Sequence, residues 1–252
     1  VALFESDTAY DSFMGRYSTR LACPFADFAG IGHGQAVLDV GAGTGALTVE
    51  LASRGAIVSA AEPSAPFVEA VRRRAPEADV REAPAEELPW PDGAFDAALA
   101  QLVIAFMRDA PTGVAEMRRV VRAGGTVAVC MWDAEEMEML GAIHRTQRAL
   151  GTPGPAPEAR TMYRRREEIE SLFGDGFEDV TSELLEAESG YTGYDEFWEA
   201  LAGGVGPAGA WVASLDEEQR EAARVELHRQ LGEPDGAFRL TGRAWATRAR
   251  RA

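Results

Sequence analysis

Two carboxylates bracket a run of glycines in this chain, and their spacing is where chemistry is most legible. In Val37-Leu38-Asp39-Val40-Gly41-Ala42-Gly43-Thr44-Gly45-Ala46-Leu47, Asp39 stands two residues before the first of three alternating glycines. Glu62 follows Gly41 by twenty-one positions. Glycines let a backbone approach a ligand with no side chain in the way, and the free amides of a helix start favour electron-rich groups. A carboxylate at the mouth of such a loop repels a pyrophosphate and suits a ligand with positive charge, such as an ammonium and a sulfonium. An acid placed like Glu62 can accept hydrogen bonds from both hydroxyls of a ribose.

The elements that must position these acids follow from periodicity. Val37 to Val40 reads as a buried parallel strand, and Leu47 and Leu51 mark the inner face of the next helix, with Gly55 as its C-cap. A second strand covers 56–61 and ends at Glu62, after which Pro63 offers a flat apolar edge suited to an adenine face. Ser64 reads as the N-cap of a helix that packs through Phe67, Val68 and Val71 and closes on Arg72 to Arg74. Short strands at 78–82 and 94–100, a helix carrying Val114, Met117 and Val121, a turn at 122–125 and a strand at 126–132 continue the alternation. Such alternation predicts a parallel, doubly wound α/β sheet with its ligand across the carboxyl ends of the strands.

The glycines alone leave two ligands open, since Gly41, Gly43 and Ala46 also satisfy the dinucleotide fingerprint. Asp39 and the third glycine, Gly45, favour the other, and D-V-G-A-G-T-G resembles the first motif of the class I S-adenosylmethionine (SAM) dependent methyltransferases. Residues 83–96 resemble the second motif of that family at Leu88, Pro89, Trp90, Asp92, Phe95 and Asp96. They depart from it at Pro84, where an adenine-reading acid is usual, so the Ala85 N–H and Glu86 are expected to take over. The turn at 122–125 resembles a third family pattern, with Ala123 in place of its proline. The resemblance implies a seven-stranded, mostly parallel, Rossmann-like sheet with an antiparallel last strand and helical caps. It also implies SAM as cofactor, S-adenosylhomocysteine (SAH) as product, and contacts from Tyr17, Asp39, Gly41, Ala42, Gly43, Glu62, Pro63, Ala85, Glu86 and Gln101. In that family an N-terminal segment closes over the site, a role that falls here on Tyr10, Arg16 and Tyr17.

Beyond the motifs, the chain reads as one domain over 1–252 with a lid at 1–30 and caps at 133–163 and 189–232. The lid is partly helical and broken at Pro24. A helix from Asp133 to about Leu150 is followed by an irregular linker over 151–157. Ile169, Leu172 and Phe173 predict a sheet-packing helix, 177–185 a sixth strand and 216–231 a long helix. In the last strand Phe238, Leu240, Ala244 and Ala246 alternate with polar residues. The resemblance also implies that Phe106 and Met107, just after the fourth strand, face the acceptor, and the aromatics gathered in the lid and caps, Phe13, Trp132 and Trp198 among them, suggest a pocket for an apolar or aromatic small molecule. Such a size and lid arrangement resembles methyltransferases of small metabolites, including secondary metabolism. Of the three histidines, His33 and His228 read as structural, and His144 is the candidate general base. No spacing suggests a metal site.

Composition narrows the partners. The 252 residues hold 41 Asp and Glu against 25 Lys and Arg, a net charge of −16 that opposes a grip on nucleic acid. The two cysteines, Cys23 and Cys130, need no disulfide framework, which fits a reducing, cytoplasmic setting. The first residues lack the features of a signal peptide, although the chain opens on Val, so leading residues are expected to precede it. No stretch has the length and apolarity of a membrane span, and the oligomeric state is not legible. Two other functions remain open at this point: a nicotinamide oxidoreductase, or a protein that binds SAM for a reaction other than methylation.

Overall fold

The computed structural model describes residues 10–133, 136–154, 162–203 and 206–252. Seven strands form: β1 (Ala36–Val40), β2 (Ile57–Glu62), β3 (Asp79–Glu82), β4 (Phe95–Gln101), β5 (Val121–Trp132), β6 (Phe177–Tyr191) and β7 (Phe238–Arg251). They make one sheet in the order β3-β2-β1-β4-β5-β7-β6. The first five strands are parallel, and β7 runs antiparallel between β5 and β6. This is the doubly wound sheet with a reversed last strand that the alternation and the motif resemblance predict.

Two layers of apolar side chains cover the sheet. On one face, α1 (Arg16–Ala29), reached through a π-helical turn at Asp11–Gly15, packs Tyr17, Leu21 and Phe25 beside Leu47 and Leu51 of α2 (Ala46–Ser53). The same cluster takes in Met139 and Ile143 of α5 (Glu138–Leu150), Phe197 and Trp198 of α7 (Tyr194–Ala202), Trp211 of α8 (Gly206–Ser214) and Leu227 of α9 (Glu217–Gln230). On the other face, Val114 and Met117 of α4 (Ala110–Val120) and Ile169 of α6 (Arg166–Glu170) pack on β4 and β5. Val68 and Val71 of α3 (Ala65–Arg74) cover β2 and β3.

Several boundaries differ from the sequence reading. α1 runs through Pro24 without a break, its helix continuing to a left-handed cap at Gly30. β5 begins at Val121, whose backbone turns extended straight after α4 and pairs with Phe95. α6 is a five-residue helix, and Leu172 and Phe173 are buried in the turn that follows it. β6 continues past Leu185 to Tyr191 because β7 offers partners along its whole length, up to Tyr191 opposite Phe238. Glu186, Glu188 and Gly190 have weak strand propensity and hide that extension, while Ala187, Ser189 and Tyr191 between them are buried. Ser64 takes the N-cap position of α3, but its side chain makes no capping bond. Part of the predicted lid, of the 151–157 linker and of both caps lies outside the described residues. Among the described residues no helix is long and apolar enough to cross a membrane, and no three metal-ligating side chains converge.

Candidate functional site

At the carboxyl ends of β1 and β2 the glycine loop folds back onto the neighbouring strand. The amides of Gly41 and Ala42 both donate to the Ala61 carbonyl, at 2.8 and 3.1 Å. Gly41 has a φ of 70°, and a Cβ there would lie 2.4 Å from Cγ2 of Val103, so conformation and packing both require glycine. Gly43 N–H donates to Oε2 of Glu62 (2.8 Å) and Ser64 N–H to its Oε1 (2.9 Å). Glu62 thus ties the loop to the end of β2, with one lone pair left on each oxygen.

Asp39 lies deeper, 1% exposed, and accepts the Thr48 hydroxyl at 2.6 Å. Burial pushes its pKa up to about 7, against the Thr48 hydrogen bond and with help from the Glu62 charge. Burial also raises Glu62, opposed by the Ser64 and Gly43 amides. Among the described residues neither acid takes part in an ion pair, although ion pairs such as Arg54–Glu50 and Arg119–Glu116 form elsewhere. Two buried, mutually repelling carboxylates are costly unless a cation shares the space.

A cavity of about 30 Å³ lies between Asp39, Gly41, Gly43, Thr44, Gln101 and Tyr10. The start of the lid roofs it. Asp11 accepts the Thr44 hydroxyl at 2.7 Å and pairs with Arg74, and the Tyr10 ring sits 5.7 Å from that of Phe67. Gln101 donates from Nε2 to the Ser18 carbonyl (3.0 Å). Arg16 anchors the lid at its other end, to Glu196 and to the Gly190 carbonyl at 2.9 Å.

The residues expected around a cofactor and its acceptor divide by location. Asp39, Gly41, Ala42, Gly43 and Gln101 line the one cavity, with Glu62 bonded to its wall. Pro63 is exposed beside it, and Ala85 is buried after β3. Glu86 receives the Arg108 and Asp109 amides on Oε1, at 2.6 and 3.0 Å, and so caps the approach to α4. Tyr17 does not line that cavity. It packs edge-on to Trp132, with ring centroids 6.0 Å apart, because its position on α1 points over β5. Phe13 and Trp198 join that cluster, but Met107 and Phe106 do not. Met107 packs on the opposite face, where a Cβ at Gly113 would meet its sulfur at 2.6 Å, and Phe106 is 38% exposed. The short 3₁₀ turn at Ile104–Phe106 reverses the chain after β4 and carries both residues away from Trp132.

His144 is also displaced from the site. α5 turns Met139, Ala142, Ile143 and Thr146 inward, which leaves His144 on its outer side. Partial desolvation and the Arg164 and Arg148 charges push its pKa down. The sequence reading missed Tyr191, Ser18 and Asp11, whose roles depend on contacts across more than thirty residues of chain.

Comparison with known proteins adds the family. Residues 38–129 match the model described as a methyltransferase domain. An uncharacterized protein of Mycobacterium tuberculosis (strain H37Rv) is 32% identical over 154 residues, 59% of this chain and 55% of that protein. The demethylmenaquinone methyltransferase of Mycobacterium sp. (strain KMS) is 41% identical over 118 residues, 46% of this chain and 50% of that enzyme. The chain thus spans about half the length of the curated relatives it matches. A solved structure from Anaeromyxobacter dehalogenans, provisionally named a type II methyltransferase, has a TM-score of 0.67 at 22% identity, over 91% of this chain and 95% of that one. The YcgJ protein of Bacillus subtilis has a TM-score of 0.59 at 15% identity, over 92% and 98%. At these identities the likeness speaks for the fold alone. The match of residues 38–129 to the methyltransferase domain model, together with the sheet order, supports a class I SAM-dependent methyltransferase family for this chain.

Proposed function

We propose that this protein transfers a methyl group from SAM to a small-molecule acceptor. One observation carries the reading: two buried acids at the glycine loop, Asp39 and Glu62, have no cation of their own among the described residues. A diphosphate would add repulsion there, whereas an ammonium and a sulfonium would relieve it, so a nicotinamide cofactor fits poorly. The free lone pairs of Glu62 suit ribose hydroxyls, Pro63 and Ala85 suit an adenine, and Glu86 keeps Oε2 as an acceptor for its amino group.

When bound, SAM supplies a methyl group made electrophilic by its sulfonium. The work left to the chain is to hold the acceptor atom about 3 to 3.5 Å from that carbon, in line with the breaking bond, and to keep water away. The lid serves both ends, and it must open first, because pockets for ligands of this size run to roughly 300 Å³ or more. The acidic charge of −16 and the small-molecule enzyme among the relatives both favour a small acceptor over nucleic acid.

The test is calorimetry with SAM and with NADH, followed by incubation with methyl-labelled SAM and a panel of phenols, amines and enols. SAM binding and label in one acceptor class are expected. Tight NADH binding without SAM binding would overturn the reading, and SAM binding with no labelled product would leave a non-methylating use of SAM as its replacement.

A further inference from the structure

One bulky residue at the carboxyl edge of the sheet holds a backbone conformation that favours glycine. Leu102, directly after β4, has a φ of 62°, where an L side chain crowds the following carbonyl, and it is buried. Gly41, in the loop after the neighbouring β1, has a φ of 70°. The loop meets that conformation with a glycine, and the end of β4 meets it with a leucine. Strain of this kind persists only where the surroundings over-determine it, and it gathers at sites that need a fixed geometry.

Strand register shows what the turn achieves. β4 runs parallel to β1 with Leu99 opposite Asp39. A straight continuation would bring residue 101 level with Gly41 and carry residue 103 about 6 to 7 Å past it. Instead Val103 lies on Gly41, where an added Cβ would fall within 3.0 Å of three Val103 side-chain atoms. Leu102 N–H still donates to the Cys130 carbonyl (2.9 Å), so the ladder with β5 runs up to the turn. The left-handed step falls on Leu102, and Val103 follows at φ −112° and ψ −23°, its carbonyl accepting from Phe106 N–H at 2.8 Å.

The loop that Val103 touches carries the polar contacts of the site. The Gly41 and Ala42 amides bond the Ala61 carbonyl, and Gly43 N–H holds Glu62. Gly41 has no side chain to fill the space toward β4, and Val103 fills it. Gln101, just before the turn, lines the cavity and donates to the Ser18 carbonyl of α1. The turn therefore gives adjoining side chains different tasks, Gln101 at the cavity and α1, Val103 against the loop.

We infer that Leu102 and Val103 are positioning residues for the cofactor: the left-handed turn at Leu102 seats Val103 against Gly41, and that contact holds the glycine loop in its binding shape. This rests on the methyltransferase reading for its ligand, and it extends the binding machinery to two apolar residues that act through the loop.

Two substitutions at Leu102 separate backbone conformation from apolar burial. Asn adopts the left-handed region readily but is polar, whereas Val is apolar but, being β-branched, resists that region. Calorimetry on the full chain is expected to find SAH affinity within about threefold of the parent for Leu102→Asn and about tenfold weaker for Leu102→Val. A leucine with a merely structural role gives the opposite order, since Val keeps the burial that Asn loses. Val103→Ala should weaken SAH about tenfold. Val114→Ala removes two methyl groups from α4 in the same apolar cluster, and should change SAH affinity less than about twofold while lowering Tm at least as much. Amide exchange followed by NMR reads the loop without ligand. The Gly41, Ala42 and Gly43 amides are expected to exchange about tenfold faster in Leu102→Val and Val103→Ala than in Leu102→Asn and Val114→Ala. If Leu102→Asn fails to fold, Val103→Ala against Val114→Ala decides. Leu102→Val binding as tightly as the parent or more tightly than Leu102→Asn, or equal effects of Val103→Ala and Val114→Ala, would overturn the inference. Absence of SAH binding to the parent would instead strike the methyltransferase reading, and the exchange rates still test the turn.

Discussion

The two halves of this sheet solve opposite problems. Around β1 and β2, the polar groups are satisfied locally and the imbalance is one of charge: Glu62 holds two backbone amides, Asp39 holds Thr48, and both remain acids in a buried place. Around β5, β7 and β6, aromatic packing takes the place of buried acids: Tyr17 meets Trp132 edge-on, Tyr191 stacks on Phe238 beside the Arg16 guanidinium, and Trp132 Nε1 is left without a partner among the described residues. The first half is prepared for a cation whatever its shape. The second is held by ring packing, with far fewer charges to neutralise. The difference teaches that buried charge leaves a local demand any cation can meet, whereas packed rings leave a demand that only shape can meet.

The largest effect that should separate the halves comes from adding one methyl group. Gly41→Ala forces a left-handed backbone and drives a Cβ into Val103, and is expected to cost roughly 3 kcal/mol of stability. Gly242→Ala meets only the Trp132 and Tyr17 rings and the Met137 methyl, which can give by a few tenths of an ångström, and should cost about 1 kcal/mol, the low end of overpacking. Urea unfolding of both variants measures the gap, and equal losses would erase the distinction between a rigid loop and an adaptable aromatic cluster.

Next in size, Asp39→Ala and Glu62→Ala should each weaken SAM binding by about 1 to 3 kcal/mol, the scale of a lost charge-assisted bond. Tyr17→Phe should leave it nearly unchanged. Calorimetry that finds the acid variants as tight as the parent would contradict the charge argument for the first half.

The same argument has a pH signature. Asp39, with its pKa raised to about 7 by burial, is largely protonated below that pH without ligand, and a bound cation favours its ionised form. Binding therefore expels a proton, and SAM affinity should rise by up to about tenfold per pH unit, or about 1.4 kcal/mol, as pH climbs from 5.5 to 7, then level off. Stability of the ligand-free fold takes the other sign: Asp39 penalises it increasingly as pH rises from its unfolded value through 7. Affinity that stays flat over this range would mean that Asp39 does not feel the ligand.

The smallest effect concerns the lid that spans both halves. Asp11→Ala removes a half-exposed contact to Arg74 and the bond to Thr44, worth less than about 1 kcal/mol. Faster SAH association in stopped-flow, by a few-fold, is expected, and an unchanged rate would place the gate elsewhere.

Much of the first half was legible before any coordinates. Asp39, the three glycines and Glu62 fall within twenty-four residues, and strand, turn and helix periods are local properties that adjacent residues reveal. The reversed last strand followed from the motif resemblance, and the alternation at Phe238 to Ala246 agreed with it. The aromatic cluster was not legible in this way. That Tyr17 reaches Trp132, that β6 continues to Tyr191, that Met107 turns toward Gly113 and that His144 faces outward depend on strand register and helix rotation. A shift of one residue in a strand reverses the face a side chain points to, and a step of one residue on a helix turns it by about 100°. Sequence by itself determined the local charge and the course of the backbone around it. Only tertiary structure decided which distant side chains share a space, because that is settled by how whole elements pack against one another.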